Sequence, residues 1–255
     1  MITAGIDVGS ITTKAAVVED GRLISDRIIK TGFNAKNAGK KVFDDILAEL
    51  NLTASAIDGI ISTGYGRNSV DFASKAVTEI TCHAAGANYL APHVRSVIDI
   101  GGQDSKAISI DENGVVKNFA MNDKCAAGTG RFLEVMANAL QVDLENFGKL
   151  SLNARHPSKI SSLCTVFAES EVISLISKGE KRQNIIAGIH ESIASRVVAM
   201  SSRVGMTAPI MMTGGVAKNV GVLKALESKL GQNIEVSEKT QVTGAIGAAL
   251  LAQRL

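Results

Sequence analysis

Two aspartates and two cysteines stand where this chain could do chemistry. Asp7 lies in GIDVGSITTK (5–14) and Asp99 in IDIGGQDSK (98–106), each in an apolar run that breaks into glycine. A third turn, MTGGVAKN (212–219), has the glycines without the acid. Glycine lets the backbone lie close to a ligand, and successive N–H groups in such a turn form a nest for anions. A carboxylate inside that nest repels phosphate unless a cation separates them. Asp7 and Asp99 therefore predict Mg2+, which keeps several waters and binds one or two carboxylates together with phosphate oxygens. Ser10, Thr12 and Thr13 add hydroxyls, and Lys14 offsets phosphate charge. Neither the Walker pattern nor the dinucleotide G-x-G-x-x-G is present.

The cysteines pose a second question. NDKCAAGTGRFLE (122–134) sets Cys125 before a Gly-Thr-Gly turn that opens a helix, and SSLCTVFAESEVISLI sets Cys164 before another. Helix N-termini carry partial positive charge and free N–H groups, which favour a thiolate. The chain has 3 cysteines, an odd number with no C-x-x-C spacing, so a disulfide framework is excluded. Buried filler, catalytic group and metal ligand stay open at this point. Cys82, on an apparent helix beside His83, reads as structural.

The elements that must hold these residues show an internal repeat. Ile6-Asp7-Val8-Gly9, four residues, then Lys14-Ala15 matches Ile98-Asp99-Ile100-Gly101, four residues, then Lys106-Ala107. Each copy continues into a β-rich run with a turn signal, Asp20-Gly21 in one and Asn113-Gly114 in the other. Val42, Phe43, Ile46, Leu47 and Leu50 keep helical spacing, and Gly59-Ile60-Ile61 reads as a buried strand. Further helices are expected over 131–141, about 166–178, about 184–204 and 219–230, with a last one starting at Gly244. Leu133, Met136, Ala137 and Leu140 form an apolar stripe on the first of these; Val166, Phe167, Val172, Ile173 and Ile176 serve the second. The class is α/β with mixed sheets in two lobes, 1–94 and 95–255, with the cleft between them and the last helix able to pack back on the first lobe.

Composition narrows the function classes. The net charge is +2, with 45% hydrophobic and 20% charged residues. No basic stripe argues for nucleic acid or an anionic membrane. No apolar run is long enough to span a bilayer, and no signal-peptide pattern opens the chain, so a cytoplasmic protein is expected.

The three glycine turns resemble the two phosphate motifs and the adenosine motif of the superfamily of acetate and sugar kinases, heat-shock chaperone ATPases and actin. That resemblance implies two ribonuclease-H-like lobes closing over MgATP or MgADP. By position, Ser10, Ile11, Thr12, Thr13 and Lys14 would hold the β- and γ-phosphates. Asp7 and Asp99 would hold magnesium through water, and Gln103 would orient the attacking water. Gly214, Gly215 and Val216 would flank the adenosine, with Lys218 and Gln241 beside it, and Gly128-Thr129-Gly130 resembles the connecting segment. Two minimal lobes leave little length for an acceptor pocket or a peptide-binding domain. A 4Fe-4S cluster takes four thiolates, which two chains joined about a two-fold axis supply at two each.

NDKCAAGTGRFLEVMAN, CTVFAESEVIS, IIAGIHESIASRV, STGYGRNS and IDIGGQDSK closely resemble the ATP-dependent activators (component A) of 2-hydroxyacyl-CoA dehydratases and the related benzoyl-CoA reductase ATPase subunits. The resemblance implies a homodimer with one 4Fe-4S cluster at its interface, ligated by Cys125 and Cys164. It implies that lobe closure on ATP drives one low-potential electron into a partner dehydratase or reductase. A ferredoxin or flavodoxin would supply that electron. Lys218 departs from the pattern, where relatives often carry glutamine. A small-molecule kinase of the same superfamily and a regulatory nucleotide-binding module are the competing readings. The Thr63–Arg67 stretch reads as a simple turn or as support for a partner surface. Glu169 and Glu171 read as acids matched to a helix N-terminus or as groups that tune the cluster.

Overall fold

The computed structural model describes residues 1–161 and 164–255; Ser162 and Leu163, in the stretch before Cys164, lie outside the described residues. The repeat becomes two five-stranded mixed sheets of one topology. In the first, β1 (Ile2–Val8), β2 (Thr12–Glu19) and β3 (Arg22–Lys30) form an antiparallel meander, and β4 (Gly59–Thr63) and β5 (Lys75–Ala76) extend it in parallel on the far side of β1. In the second, β6 (Ser96–Ile100), β7 (Ser105–Ile110) and β8 (Val116–Asn122) repeat the meander, with β9 (Ile210–Thr213) and β10 (Ile234–Val236) beyond β6. The strand orders β3-β2-β1-β4-β5 and β8-β7-β6-β9-β10 therefore correspond. β1, β4, β6, β7 and β9 are buried along nearly their whole length, as central strands covered on both faces must be.

The helices are α1 (Ala35–Leu50), α2 (Glu79–Leu90), α3 (Gly130–Ala139), α4 (Leu144–Ser151), α5 (Thr165–Ser177), α6 (Arg182–Arg203), α7 (Val220–Leu230) and α8 (Thr243–Ala252). Asn34 caps α1 and Thr78 caps α2 through their side chains, and Gly231 closes α7 in the left-handed region. The expected helices are all present; α4 is an addition to them, because one eight-residue amphipathic turn pair gives too few repeats to establish a period. None of the helices among the described residues is long and apolar enough to cross a membrane.

Two helices determine how the sheets meet. α2 and α8 cross so closely that only glycine fits at the contact. A β-carbon on Gly86 would lie 2.0 Å from the Thr243 carbonyl oxygen, and one on Gly247 would lie 1.8 Å from the Cys82 carbonyl oxygen. α8 also packs on β1: Thr3 donates its hydroxyl hydrogen to the Ala249 carbonyl at 2.8 Å, and Gly5 leaves room for the Ala245 carbonyl. The other face of α2 packs on the second sheet through Ile80, Ala84 and Ala87.

One expected stripe is turned the other way. Leu133, Met136, Ala137 and Leu140 are buried as their spacing predicts, but on α5 Ala168 and Val172 are buried in the core with Leu175 partly buried against it. Val166, Phe167, Ile173 and Ile176 are exposed, Phe167 at 67%. α5 is apolar on more than one side, so periodicity alone could not tell which side meets the core.

Candidate functional site

Register places the repeated residues. Across the first hairpin of each sheet, Asp7 pairs with Lys14 and Asp99 with Lys106. On the other flank the parallel neighbour brings Thr63 beside Asp7 and Thr213 beside Asp99. Each threonine is followed by a glycine in the left-handed region, Gly64 at φ +84° and Gly214 at φ +86°. A β-carbon on Gly64 would stand 2.4 Å from Asp7 Oδ1, and one on Gly214 would stand 2.9 Å from Asp99 Oδ1. The duplication is thus a Thr–Asp–Lys row in each sheet. Its threonine members are hidden in the sequence, where STGYG (62–66) and MTGGV (212–216) share only Thr-Gly.

The rows border one cavity of about 810 Å³. Asp7, Ser10, Ile11, Thr12 and Lys14 line it from the first sheet; Asp99 and Gln103 from the second; Gly214, Gly215, Val216, Lys218 and Gln241 from the turns after β9 and β10. Two of the expected residues are elsewhere. Strand alternation turns Thr13 away, buried, with its hydroxyl 2.9 Å from that of Thr31. Gly128 lies beside the Arg196 side chain, at a left-handed φ of +89°. The cavity also gathers residues to which the sequence assigned no part in it: Glu79, His83, Asp104, Tyr65 and Arg67, and Leu144, Glu145, Gly148 and Lys149 on α4. Lys106 belonged visibly to the repeat but carried no role.

Lys106 is 2% exposed, and its ammonium donates to Asp99 Oδ2 and to Asp104 Oδ2, each at 2.9 Å, with Glu79 at 3.6 Å. Burial works against its charge, yet the three carboxylates raise its pKa above the usual lysine range. Asp99 is the mirror case: burial would lift it, but His83, Lys106 and the Thr213 hydroxyl hold it below the usual carboxylate range. Burial pushes Glu79 up, opposed by Lys106. In the first row the ion pair is longer, with Lys14 at 3.3 Å from Asp7 Oδ2.

No three His, Cys, Asp or Glu side chains among the described residues are grouped to hold a metal ion by themselves. Both row aspartates are already lysine-paired, so the donor set fits a hydrated cation that also takes phosphate oxygens, not a dehydrated one.

The cysteines differ sharply. Cys82 is buried on α2, where burial pushes its thiol up to about 12. Cys125 is half-buried; its N–H donates to Asn122 Oδ1 at 3.3 Å, and Asn122 Nδ2 donates to the Cys125 carbonyl at 2.8 Å. Cys164 is exposed at the N-cap of α5 and makes no capping bond. Glu171 accepts from the Ser161 N–H at 3.0 Å and from the Ser161 hydroxyl at 2.9 Å, tying α5 to the stretch of chain before it. The helix after Cys125 is fastened to the cavity. The Gly130 N–H donates to the Gly101 carbonyl at 2.9 Å and the Arg131 N–H to the Gly102 carbonyl at 2.8 Å.

Two like sheets closing on a cavity between aspartate-bearing glycine turns make this a two-lobed α/β ATPase fold of the actin-like kind. The chain belongs to the BadF/BadG/BcrA/BcrD ATPase family, whose model matches residues 4–252. It is 47% identical to the (R)-2-hydroxyglutaryl-CoA dehydratase activating ATPase of Acidaminococcus fermentans, over 99% of this chain and 97% of that protein. It is 36% identical to one of the subunits of the benzoyl-CoA reductase of Thauera aromatica, over 98% of this chain and 92% of that protein. The crystal structure of component A of the Acidaminococcus fermentans dehydratase matches with a TM-score of 0.95 at 46% identity, covering 100% of this chain and 98% of that one. This is the family that NDKCAAGTGRFLEVMAN, CTVFAESEVIS and IDIGGQDSK led us to expect.

Proposed function

We propose that this protein is an ATP-hydrolysing iron–sulfur electron donor that activates a 2-hydroxyacyl-CoA dehydratase or a related reductase. The observation that carries it is the bolt between cavity and cysteine. The carbonyls of Gly101 and Gly102, in the second phosphate turn, hold the first N–H groups of α3, and Cys125 sits just before that helix. A shift of that turn on nucleotide hydrolysis is therefore passed to the cysteine end of α3 through two hydrogen bonds.

In the cavity, Ser10, Thr12 and Lys14 bind the phosphates, Asp7 and Asp99 hold waters of a magnesium ion, and Gln103 orients the attacking water. Gly214, Gly215, Val216, Lys218 and Gln241 flank the adenosine. The lobes divide near 94/95, with α8 returning to the first.

The thiols fit a shared 4Fe-4S cluster. Each chain offers two reachable sulfurs, Cys125 and Cys164, and withholds Cys82, so four ligands require two copies. The exposed apolar residues of α5 beside Cys164 suit burial by that second copy. When bound, the cluster supplies one low-potential electron. Cys125 and Cys164 would hold it, Cys164 at the N-cap of α5, where the helix N-terminus favours an anionic centre. The partner enzyme takes the electron, and a ferredoxin or flavodoxin restores it in the cytoplasm.

Iron and acid-labile sulfide in protein purified without oxygen test this reading. About two of each per chain are expected from one four-iron cluster per dimer. Cys125→Ser and Cys164→Ser should each abolish the cluster absorbance and keep ATP binding. No iron after anaerobic reconstitution would overturn the proposal.

A further inference from the structure

A buried imidazole meets the aspartate of the second row and reaches towards the first. His83 rises from α2, is 6% exposed and borders the cavity. Its Nδ1 lies 3.3 Å from Thr213 Oγ1 and 3.4 Å from Asp99 Oδ1. Thr213 donates its own hydrogen to Asp99 Oδ1 at 2.8 Å, so its oxygen is left to accept, which puts the ring hydrogen on Nδ1. The other ring nitrogen faces the first row. A β-carbon on Gly244 would lie 2.9 Å from His83 Nε2 and 3.2 Å from Asp7 Oδ2, so both atoms border the gap that this glycine leaves.

The helix crossing explains why the gap exists. Gly86 of α2 faces Thr243 of α8, and Gly247 of α8 faces Cys82 of α2. A pseudo-two-fold axis that exchanges those pairs also exchanges His83 with Gly244. The position that carries an imidazole on one helix is bare on the other, and the bare position is where the imidazole lies. A side chain on Gly244 would collide with the ring, so only α2 supplies a group here.

We propose that His83 is a positioning residue for the nucleotide-bound divalent cation, holding Asp99 in its rotamer. With Lys106 on Oδ2, His83 and Thr213 on Oδ1 leave the Asp99 carboxylate no freedom to turn. Two carboxylates that share the waters of one ion must keep a fixed separation, and groups behind metal-facing carboxylates commonly govern affinity for the ion. The inference rests on the reading of the cavity as an MgATP site and does not involve the cysteines.

The test is ADP binding by the full chain, measured calorimetrically in EDTA and then over a Mg2+ titration. Thermal unfolding and the kcat and KM of ATP hydrolysis are measured alongside. For His83→Ala, the expected result is unchanged ADP affinity in EDTA. The Mg2+ concentration needed for half-maximal tightening should rise at least about tenfold, and kcat should fall by a similar factor. His83→Asn places an amide N–H where Nδ1–H stands and should recover most of the Mg2+ response. His83→Gln carries its amide one bond further from Asp99 and should recover less than His83→Asn. If His83→Ala does not fold, the Asn and Gln variants decide. A wild-type Mg2+ midpoint in His83→Ala, or a folded His83→Asn with no recovery, overturns the inference while the MgATP site stands. A wild-type protein whose ADP binding ignores Mg2+ overturns the site reading and this inference with it.

Discussion

The two Thr–Asp–Lys rows have the same register and different surroundings. In the first, Lys14 is 15% exposed along its side chain and reaches only Asp7, at 3.3 Å, while Thr63 makes no bond to that aspartate. In the second, Lys106 is enclosed by Asp99, Asp104 and Glu79, and Thr213 and His83 both meet Asp99. Duplication has copied backbone geometry, which register dictates, and has left the electrostatics to the helix that crosses behind each row. α2 brings Glu79 and His83 to the second row; α8 brings glycine and alanine to the first. One row is braced from within, and the other keeps its lysine for whatever enters the cavity.

The largest expected effect comes from the braced row. Lys106→Ala leaves three carboxylates facing one another in a nearly dry pocket. It should lower unfolding free energy by about 3–5 kcal/mol, the range for breaking a buried ion pair. Lys14→Ala should cost clearly less in the same urea titration and should instead weaken nucleotide binding. Equal losses in stability from both would end the distinction between the rows.

Acid should act elsewhere than on the Asp99–Lys106 pair of the braced row. The folded-state pKa of Asp99 is depressed, so its contribution to stability is present above the ordinary carboxylate range and is lost only as pH falls through the lower folded value. Lys106 is raised, so its contribution holds below the ordinary lysine pKa and fades only as pH climbs through the higher folded value. Neither produces a slope between pH 6.5 and 4. His190 does. Buried on α6 against Phe147, it is pushed down to about 3 by burial, so the unfolded chain takes up a proton below pH 6.5 that the native protein refuses. Stability should fall by a few kcal/mol, roughly, as pH drops from 6.5 towards 3. His190→Leu should flatten that slope in denaturant midpoints taken at each pH. A slope that survives in His190→Leu and vanishes in Asp99→Asn would mean that the second row is not held as described.

The threonines make the finest comparison. Thr213→Val removes a donor to a buried carboxylate and should cost about 1.5–3 kcal/mol. Thr63→Val removes a buried hydroxyl that bonds no carboxylate and whose one side-chain interaction among the described residues is a weak one with the Cys82 thiol, so the change in unfolding midpoint should be small. If Thr63→Val proves as costly as Thr213→Val, the first row has a bond of its own and is more like the second than the geometry indicates.

Much of this is legible along the chain because it is local. A strand that breaks into glycine, an aspartate at a fixed distance from a lysine, a cysteine before a helix start and a turn at Asp20-Gly21 all follow from φ/ψ preference and strand alternation over a few residues. Alternation also explains why Thr13 departs from the expected phosphate set. It lies between Thr12 and Lys14, both on the cavity wall, so its side chain has to face the other way. The repeat from Ile6 and Ile98 is enough to expect two like lobes with a cleft, and the chain supplies two sheets of one strand order. What stays hidden depends on segments far apart in sequence. His83 matters because Asp99, Thr213 and Gly244 converge on it, and no spacing along the chain links those four positions. The apolar face of α5 looks like core because hydrophobicity records that a surface must be covered, not by which partner. Residue order settled which turns, strands and helix starts exist; only the crossing of α2 over α8 decided which aspartate would be braced and which left open, because a contact between two helices is chosen by the packing of the whole molecule.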